Sequence, residues 1–204
     1  MLSMVEELKP ELLLSAYANG IFPMAGEQDE IRWYSPDPRA VIELDRFKIS
    51  RSLRQRIRSA EADRSGFEIR YNTCFERVMR RCADREDGTW ISRDIIESYG
   101  RLHELGYAHS VETFYGEELA GGLYGVSLGG AFFGESMFTD PPRRDGSKLA
   151  LVALVERMQE RRMTLLDIQF LTPHLKRFGA VEISRDEYLR RLESAVQLET
   201  SFIN

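Results

Sequence analysis

The sequence predicts a mixed α+β domain built around a mostly antiparallel sheet. Three observations support this prediction: stretches with the two-residue alternation of a strand, stretches with the period of a helix, and glycine-rich turns between consecutive strands. They follow one another along a chain of 204 residues that is 43% hydrophobic and 30% charged. This composition is typical of a globular protein that buries a sizeable core.

The first 45 residues are predicted to form a small N-terminal region. KPELLLSAYANGIFP has Pro10 in the first turn of a short helix and Gly20 past its end. The proline-punctuated segment WYSPDPRAV follows it. Residues 46–204 are predicted to form the larger domain.

The larger domain begins with a strand in GFEIRYN and a helix in TCFERVMRRCA. Ser92 is predicted to cap the helix RDIIESYGRLHEL, and Gly106 to end it. YAHSVETFY then opens a hairpin across GEE, and LAGGLYGVSLGGAFFGESMF adds two strands that turn at Gly129 and Gly130.

The last third of the chain continues the alternation of helix and strand. Ser147 is predicted to cap the helix KLALVALVERMQERR, and the strand LLDIQFLT follows it. A short helix ends at Gly179, and the capping box from Ser184 to Glu187 opens the last helix. The β-β-β-α-β order is compatible with an N-acyltransferase core, although one fold hosts many functions.

Several classes of protein are not expected. No apolar run approaches the roughly 20 residues that span a bilayer, and the N-terminus carries acids where a secretory signal carries bases, so we expect a cytoplasmic protein with no membrane partner. Cys74 and Cys82 match neither a disulfide framework nor a zinc site, and both are expected to be small buried hydrophobic groups. Without a Gly-x-Ser-x-Gly or HExxH motif, we expect neither covalent catalysis nor a metal ion.

Polar side chains interrupt two apolar strands. In LLDIQFLT, Asp167 and Gln169 share one face of the predicted strand, while apolar side chains share the other. This face either meets solvent or lines a site. In FFGESMF, Glu135 stands among aromatic residues, where an unpaired charge is costly to bury.

Positive charge is concentrated in RFKISRSLRQRIR, although the net charge of −5 argues against a general nucleic-acid coat and against DNA as a partner. If a helix begins near Ser50, Leu53 and Ile57 form its inward seam and the arginines follow one side. Such a row either contacts phosphates or is a solvated face. The basic residues are Arg46, Lys48, Arg51, Arg54, Arg56 and Arg58.

One loop partly matches a coenzyme A motif. GNAT acetyltransferases carry Arg/Gln-x-x-Gly-x-Gly/Ala at a strand-to-helix turn, where backbone amides hold the pyrophosphate. In RRDGSK, Arg143 and Gly146 are in register, but Lys148 stands where the small residue belongs. The motif is therefore incomplete.

Together these stretches resemble the leucyl/phenylalanyl-tRNA-protein transferase family. The resemblance rests on GIFPM, WYSPDPRAV, GTWI, LHELGYAHSVE, GGLYGV, FFGESMF, SKLAL, LDIQFLTPHL and FGAVEISRDEYL, which follow the family's order over nearly the whole chain. It implies a GNAT-like domain that moves Leu, Phe or, less readily, Met from aminoacyl-tRNA to the α-amine of proteins beginning with Arg or Lys, marking them for degradation. The implied partners are Leu-tRNA, Phe-tRNA and these acceptor proteins, with no cofactor because the ester is already activated.

The resemblance also implies roles for individual residues. Gln169 would accept a hydrogen bond from the attacking amine while Asp167 fixes its amide, and Glu135 would attract the basic first residue of the acceptor. Trp90 would stack on the terminal adenosine or the amino acid, and the six basic residues would contact tRNA phosphates. The pocket for the transferred side chain would comprise Leu123, Phe132, Met137, Leu151, Leu154 and Leu166.

Three alternatives remain open at this point. They are a coenzyme A dependent N-acetyltransferase of the GNAT class, a transferase that uses aminoacyl-tRNA for cell-wall peptides, and a non-catalytic tRNA-binding module. The donor and the acceptor of a transfer reaction distinguish among them.

Overall fold

The computed structural model of the chain describes residues 8–26, 28–61, 66–86, 88–141 and 143–203. The helices are α1 (Pro10–Ala18), α2 (Arg51–Glu61), α3 (Phe75–Ala83), α4 (Arg93–Glu104), α5 (Gly146–Glu160), α6 (Pro173–Lys176) and α7 (Arg185–Val196). The strands are β1 (Phe22–Ala25), β2 (Ile31–Tyr34), β3 (Arg39–Ile42), β4 (Phe67–Tyr71), β5 (Ala108–Tyr115), β6 (Glu118–Leu128), β7 (Ala131–Thr139), β8 (Leu165–Gln169) and β9 (Ala180–Ile183). The predicted mixed α+β class is confirmed.

The strands form two sheets. β1 and β2 make a two-stranded sheet, and the other seven form a sheet in the order β4-β5-β6-β7-β8-β3-β9. Neighbouring strands in the described ranges run antiparallel, except β7 and β8, which are parallel and are connected through α5. The large sheet is therefore mixed, with its parallel pair near the centre.

The large sheet separates two hydrophobic cores. One core lies under α5, whose apolar side chains pack with Leu123 of β6 and Leu166 of β8. The other lies under α1, α3, α4 and α7, where Tyr124 of β6 and Phe133 of β7 are buried. Adjacent residues of one strand thus face different cores, as the alternation of side chains requires.

Most of the predicted helix ends and turns are confirmed. The Ser92 side chain accepts from the Ile95 N–H, the Ser184 side chain accepts from the Glu187 N–H, and β6 and β7 turn at Gly129 and Gly130. Each of these features depends on short-range chemistry between residues close in sequence.

Two local predictions were wrong. Ser147 does not cap α5, because the helix begins at Gly146 after Asp145 and the Ser147 hydroxyl instead bonds Thr139. Cys82 is fully buried as predicted, but Cys74 is half-buried at the N-terminal end of α3, where the chain turns into the helix.

The predicted division of the chain at residue 45 stays a prediction. Within the predicted N-terminal region, β3 occupies a place in the large sheet between β8 and β9. Within the described ranges, no helix is both long enough and apolar enough to cross a membrane.

Candidate active site

The central feature of the sheet is a fork between β7 and β8. The two strands pair only at Ala131–Leu165, Phe132–Leu166 and Phe133–Asp167. β7 then continues along β6 to Thr139, whereas β8 ends at Gln169. We call the space between residues 134–139 of β7 and residues 168–170 the β7–β8 fork.

A cavity of about 560 Å³ opens in the β7–β8 fork. Leu123 and Tyr124, which face different cores, both border it, so the cavity passes from one face of the sheet to the other. Its α5 side is apolar and is lined by Leu123, Met137, Leu151, Leu154 and Leu166. The remaining rim includes the polar or aromatic residues Arg85, Trp90, Tyr124, Glu135 and Gln169.

A β-bulge directs Glu135 into the fork. Tyr124 pairs with Ser136 and Gly125 pairs with Gly134, which leaves Glu135 as an extra residue in β7. Bulges of this kind re-aim side chains and are frequent beside active sites. The Glu135 Oε1 atom accepts from the Tyr17 hydroxyl at 2.8 Å and from Gln169 Nε2 at 3.3 Å. Within the described part of the chain, its Oε2 atom has no hydrogen-bond partner and remains available to a ligand.

The backbone at Gln169 is strained. Its φ is +56°, and the Phe170 N–H bonds the Ile168 carbonyl at 2.6 Å, which makes Gln169 the centre of a three-residue turn. A non-glycine residue in this region of φ is uncommon and persists only where its surroundings hold it. Because Glu135 engages the amide nitrogen, the amide oxygen stays free of hydrogen bonds to the described residues.

Asp167 holds the main chain of Gln169, and its charge is neutralised by Arg39. The Gln169 N–H donates to Asp167 Oδ1 at 2.9 Å. Arg39 Nε donates to Oδ1 at 2.9 Å and its Nη2 donates to Oδ2 at 2.6 Å, while the Tyr188 hydroxyl donates to Oδ2 at 2.7 Å. Asp167 and Arg39 are both almost completely buried. The buried pair is therefore hydrogen-bonded on both oxygens.

This geometry corrects two interpretations of LLDIQFLT. The strand does not have a solvated face, because all five residues of β8 are buried. Asp167 does not bind the side-chain amide of Gln169 as expected, because it holds the main-chain N–H and leaves the amide to Glu135. Asp167 thus lies behind the cavity, where it holds the main chain of Gln169.

A group of tyrosines surrounds Glu135 on the side away from α5. The Tyr17 and Tyr99 hydroxyl groups contact each other, and the Tyr124 hydroxyl is buried without a partner among the described residues. Burial raises the pKa of the Glu135 carboxyl to about 8; the Tyr17 hydrogen bond opposes this rise, the charge of Asp167 adds to it and that of Arg39 opposes it. Glu135 therefore changes charge near neutral pH.

Replacement of Glu135 with Gln is expected to change how stability depends on pH. Between its ordinary pKa of 4.5 and about 8, the folded protein keeps a proton on Glu135 that the unfolded chain has released. The free energy of unfolding of the wild type should therefore fall with rising pH in this window, relative to that of Glu135→Gln. Urea unfolding of both proteins at several pH values measures the difference, in which the histidine contributions cancel. A constant difference would contradict the shifted pKa.

The structure places most of the predicted pocket residues together. Trp90, Leu123, Met137, Leu151, Leu154 and Leu166 all border the cavity. Phe132 does not, because it is fully buried and its ring packs at 5.1 Å from that of Phe202. It supports the α5 side of the cavity from behind.

The predicted basic helix α2 is joined to the start of α5 by an ion pair. Leu53 is buried and Ile57 is half-buried on α2, as the predicted seam requires, and Arg51, Arg54 and Arg58 are exposed. Arg56 lies 3.4 Å from the carboxylate of Asp145, which precedes α5. Ser147, two residues later, borders the cavity.

Several site residues were not assigned a role from the sequence. Arg39 lies in WYSPDPRAV, where a single arginine is the first residue of a strand that is buried throughout, and this was the one available signal. Tyr17, Tyr99, Tyr124 and Tyr188 come from four separate elements, and no local pattern distinguishes them from ordinary core tyrosines.

Comparisons with known proteins agree on one family. A family model described as Leucyl/phenylalanyl-tRNA protein transferase matches residues 41–193, and one described as its N-terminal domain matches residues 6–37. A protein named leucyl/phenylalanyl-tRNA–protein transferase from Gloeobacter violaceus is 54% identical, covering 98% of this chain and 100% of the relative. A protein of the same name from Rubrobacter xylanophilus is 53% identical, covering 96% of this chain and 98% of the relative.

The solved structures found to be similar are more distant. L-PGS from Bacillus licheniformis gives a TM-score of 0.48 at 14% identity, covering 91% of this chain and 76% of that chain. AAC(6')-Iy gives a TM-score of 0.38 at 13% identity, covering 65% of this chain and 90% of that chain.

Proposed function

The chain belongs to the leucyl/phenylalanyl-tRNA-protein transferase family and is an aminoacyltransferase, and we propose that its acceptors are proteins that begin with Arg or Lys. It transfers Leu or Phe, and the proposed donors are Leu-tRNA and Phe-tRNA. Met is proposed to be transferred less readily, also from its aminoacyl-tRNA. The new N-terminal residue is a degradation signal. The observation that carries the proposal is the β7–β8 fork, which joins an apolar pocket to Gln169 and Glu135.

The apolar side of the cavity is proposed to hold the transferred side chain. Its walls are aliphatic, and Met137 supplies a flexible side chain that adapts to an aliphatic or an aromatic guest. Such a pocket discriminates modestly, since one methylene changes binding by only about 1–3 kcal/mol. Leu and Phe are therefore both accommodated.

Gln169 is proposed to orient the attacking amine. An α-amine has a pKa of about 7.7–8.0, so a fraction of it is neutral at cytoplasmic pH, and the reaction needs orientation more than a strong base. The free amide oxygen of Gln169 accepts a hydrogen bond from the amine. The amine nitrogen attacks the ester carbonyl carbon, the bond to the ribose oxygen breaks, and that oxygen takes up the proton. The ester is already activated, so we propose that the reaction needs neither ATP nor a metal ion.

Glu135 is proposed to bind the positively charged acceptor. Glu135 borders the cavity, and a nearby cation favours the ionised form of a buried carboxyl. Glu135→Gln is expected to lower kcat/KM for acceptors that begin with Arg by about tenfold or more, because a charge-assisted hydrogen bond is lost. Acceptors that begin with Ala should lose less. Equal losses in both classes, measured with matched peptides, would exclude a role in recognising the basic residue.

The acceptor stem of the tRNA is proposed to bind the basic residues on and before α2, namely Arg46, Lys48, Arg51, Arg54, Arg56 and Arg58. The ion pair between Arg56 and Asp145 joins α2 to the start of α5, where Ser147 borders the cavity. Contacts to phosphates hold A-form RNA without reading its bases. Trp90, on the cavity rim, is proposed to stack on the terminal adenosine or the amino acid.

Reversal of charge on α2 should weaken tRNA binding in a salt-dependent way. Arg51→Glu with Arg54→Glu removes two phosphate contacts, so we expect the slope of log affinity against log salt to decrease by about 1.4–1.8. Filter binding of Leu-tRNA across a salt series measures this slope. Arg80→Glu with Arg93→Glu, an identical change of charge at exposed positions of α3 and α4, is the control. An equal change of slope in both double variants would show that the basic residues on and before α2 have no specific role in tRNA binding.

The N-terminus of α5 disfavours the alternative of coenzyme A binding. Asp145, which precedes the helix, carries a carboxylate where a pyrophosphate would bind, and Lys148 and Arg56 bond that carboxylate. The Ser147 N–H is already bonded to Thr139. An anion there would meet negative charge and an occupied donor.

We also propose that the domain is GNAT-like and that the protein acts in the cytoplasm, where aminoacyl-tRNA is made. The order β5-β6-β7-α5-β8, with a parallel β7–β8 pair that separates, supports the first proposal. Because this order is shared by many functions, the reaction itself must be tested.

One assay tests the proposed function directly. Purified protein is incubated with radiolabelled Leu-tRNA or acetyl-coenzyme A and with peptides that begin with Arg, Asp or Ala. We expect labelled Leu on the Arg peptide, little on the other two, and no acetylation. Acetyl transfer, or binding of tRNA without transfer to any peptide, would overturn the proposal.

A further inference from the structure

The cavity borders the edge of β7 rather than one of its faces. Six consecutive residues, from Gly134 to Thr139, line it. Side chains of a strand alternate between faces, so one face alone would contribute only every second residue. Gly134, moreover, has only backbone to offer. The lining therefore consists of main chain as well as side chains.

This edge of β7 has no partner strand in the described part of the chain. β6 pairs with the opposite edge along residues 131–139, and β8 leaves the near edge after Phe133. No side chain of the described residues bonds the backbone of residues 134–139. Alternate residues of such a strand direct both N–H and C=O toward the open side.

We propose that the N-terminal segment of the acceptor protein binds as a short extended strand along this free edge, in the place that β8 leaves open. The inference rests on the proposed function and adds a mode of acceptor recognition to it. An exposed strand edge is a template for main-chain pairing, in which affinity comes from the peptide backbone. Such recognition suits an enzyme whose acceptors differ in sequence beyond the first residue.

The position of the reacting groups sets the direction of the bound segment. The α-amine must reach the Gln169 amide, and Gln169 lies beside Glu135 near the closed end of the fork. The acceptor chain then runs outward from Glu135 toward Thr139, parallel to β7. The free edge from Glu135 to Thr139 is five residues long, which is enough for about the first five residues of the acceptor, at about 3.3 Å per residue.

A polypeptide fits this edge better than the tRNA backbone does. The free edge offers amide donors and carbonyl acceptors in alternation, which a peptide matches group for group. A sugar–phosphate chain has no amide donors, and its phosphates would meet the carboxylate of Glu135. The basic residues that suit phosphates lie instead on and before α2.

Backbone-methylated acceptors test the proposal. Octapeptides that begin with Arg are prepared with one N-methyl group on the amide of residue 2, 3 or 7, and kcat/KM for Leu transfer is compared with that of the parent peptide. Only one of residues 2 and 3 directs its N–H toward β7. Methylation of that N–H should reduce kcat/KM by about tenfold or more. Methylation at the other, or at residue 7 beyond the end of the free edge, should have an effect below about twofold.

The alternation is the decisive result. Equal effects at residues 2 and 3, whether large or absent, would overturn strand addition. Transfer to the unmethylated parent peptide tests the proposed function separately, since it requires only donor and acceptor specificity. A failure of strand addition can therefore be distinguished from a failure of the proposed transfer reaction.

Two glycine substitutions in the protein, one in the fork and one as a control, provide a second test. A Cβ at Gly134 would meet only the Asp167 carbonyl oxygen, at an ordinary 3.6 Å, so Gly134→Ala should fold while adding a methyl group at the base of the fork. It should raise KM for the acceptor peptide by about fivefold, with less than about a twofold change for Leu-tRNA. Gly100→Ala on α4, with no heavy atom within 4 Å of its Cβ, is the control. An unchanged acceptor KM in Gly134→Ala would contradict the proposal.

Discussion

Replacement of Arg39 with Ala is expected to lower the free energy of unfolding by about 3–5 kcal/mol, because it leaves the buried carboxylate of Asp167 without its counter-ion. Arg39 also donates to the Gly20 carbonyl at 3.0 Å and lies between the rings of Phe22 and Tyr188. The change therefore removes packing as well as charge. Urea unfolding at neutral pH measures the loss.

Two further variants separate the ion pair from general disruption. Arg93→Ala removes an exposed arginine that pairs with Glu97 on α4, and it should cost no more than about 0.5 kcal/mol. The double variant Arg39→Ala with Asp167→Asn should recover part of the loss, because the unpaired charge is gone. A loss below about 1 kcal/mol for Arg39→Ala would show that the carboxylate is not held as described.

Replacement of Gln169 with Glu is expected to reduce kcat/KM by about 100-fold or more, the scale seen when one positioned catalytic group is removed. The new carboxyl would lie beside Glu135, whose Oε1 atom is 3.3 Å from the Gln169 amide nitrogen. Two carboxylates at this distance cannot both ionise, so they share a proton and titrate as a pair. Transfer of Leu is measured under single-turnover conditions from about pH 6 to about pH 9, which brackets the α-amine pKa. This measurement gives both the rate and its dependence on pH.

The matched control is another glutamine of the same chain. Gln159→Glu, at an exposed position near the end of α5, introduces the same chemical change away from the fork and should leave the rate and the pH profile unaltered. Full activity of Gln169→Glu with an unchanged profile would mean that the amide is not required. The fold of the variant is checked by its unfolding midpoint.

The parts of the structure that follow from short-range chemistry could be predicted from the sequence. Ser92 and Ser184 cap helices because their hydroxyls reach an N–H three residues ahead, and Gly129 turns a hairpin because glycine tolerates its φ of +55°. The seam of α2 was equally local, since Leu53 and Ile57 are one turn apart. Predictions of this kind need no knowledge of the rest of the fold.

The candidate site could be predicted only in part, because its decisive contacts join distant segments. The alternation in LLDIQFLT placed Asp167 and Gln169 on one face that either met solvent or lined a site, yet the partner of Asp167 is Arg39, 128 residues away in sequence. Glutamine is not a typical residue for a positive φ, so the strained turn at Gln169 had no local signal. The bulge at Glu135 and the separation of β7 from β8 depend on how neighbouring strands pack.

The β7–β8 fork is proposed to hold the donor's aminoacyl group against Gln169. The most direct measurement is a crystal structure of the protein with a non-hydrolysable amide of leucine and adenosine. We expect the leucine side chain to lie against Leu123, Leu154 and Leu166. We also expect the carbonyl carbon to face the Gln169 amide oxygen. A leucine side chain bound outside the fork, with the apolar side of the cavity empty, would show that the β7–β8 fork does not hold the aminoacyl group.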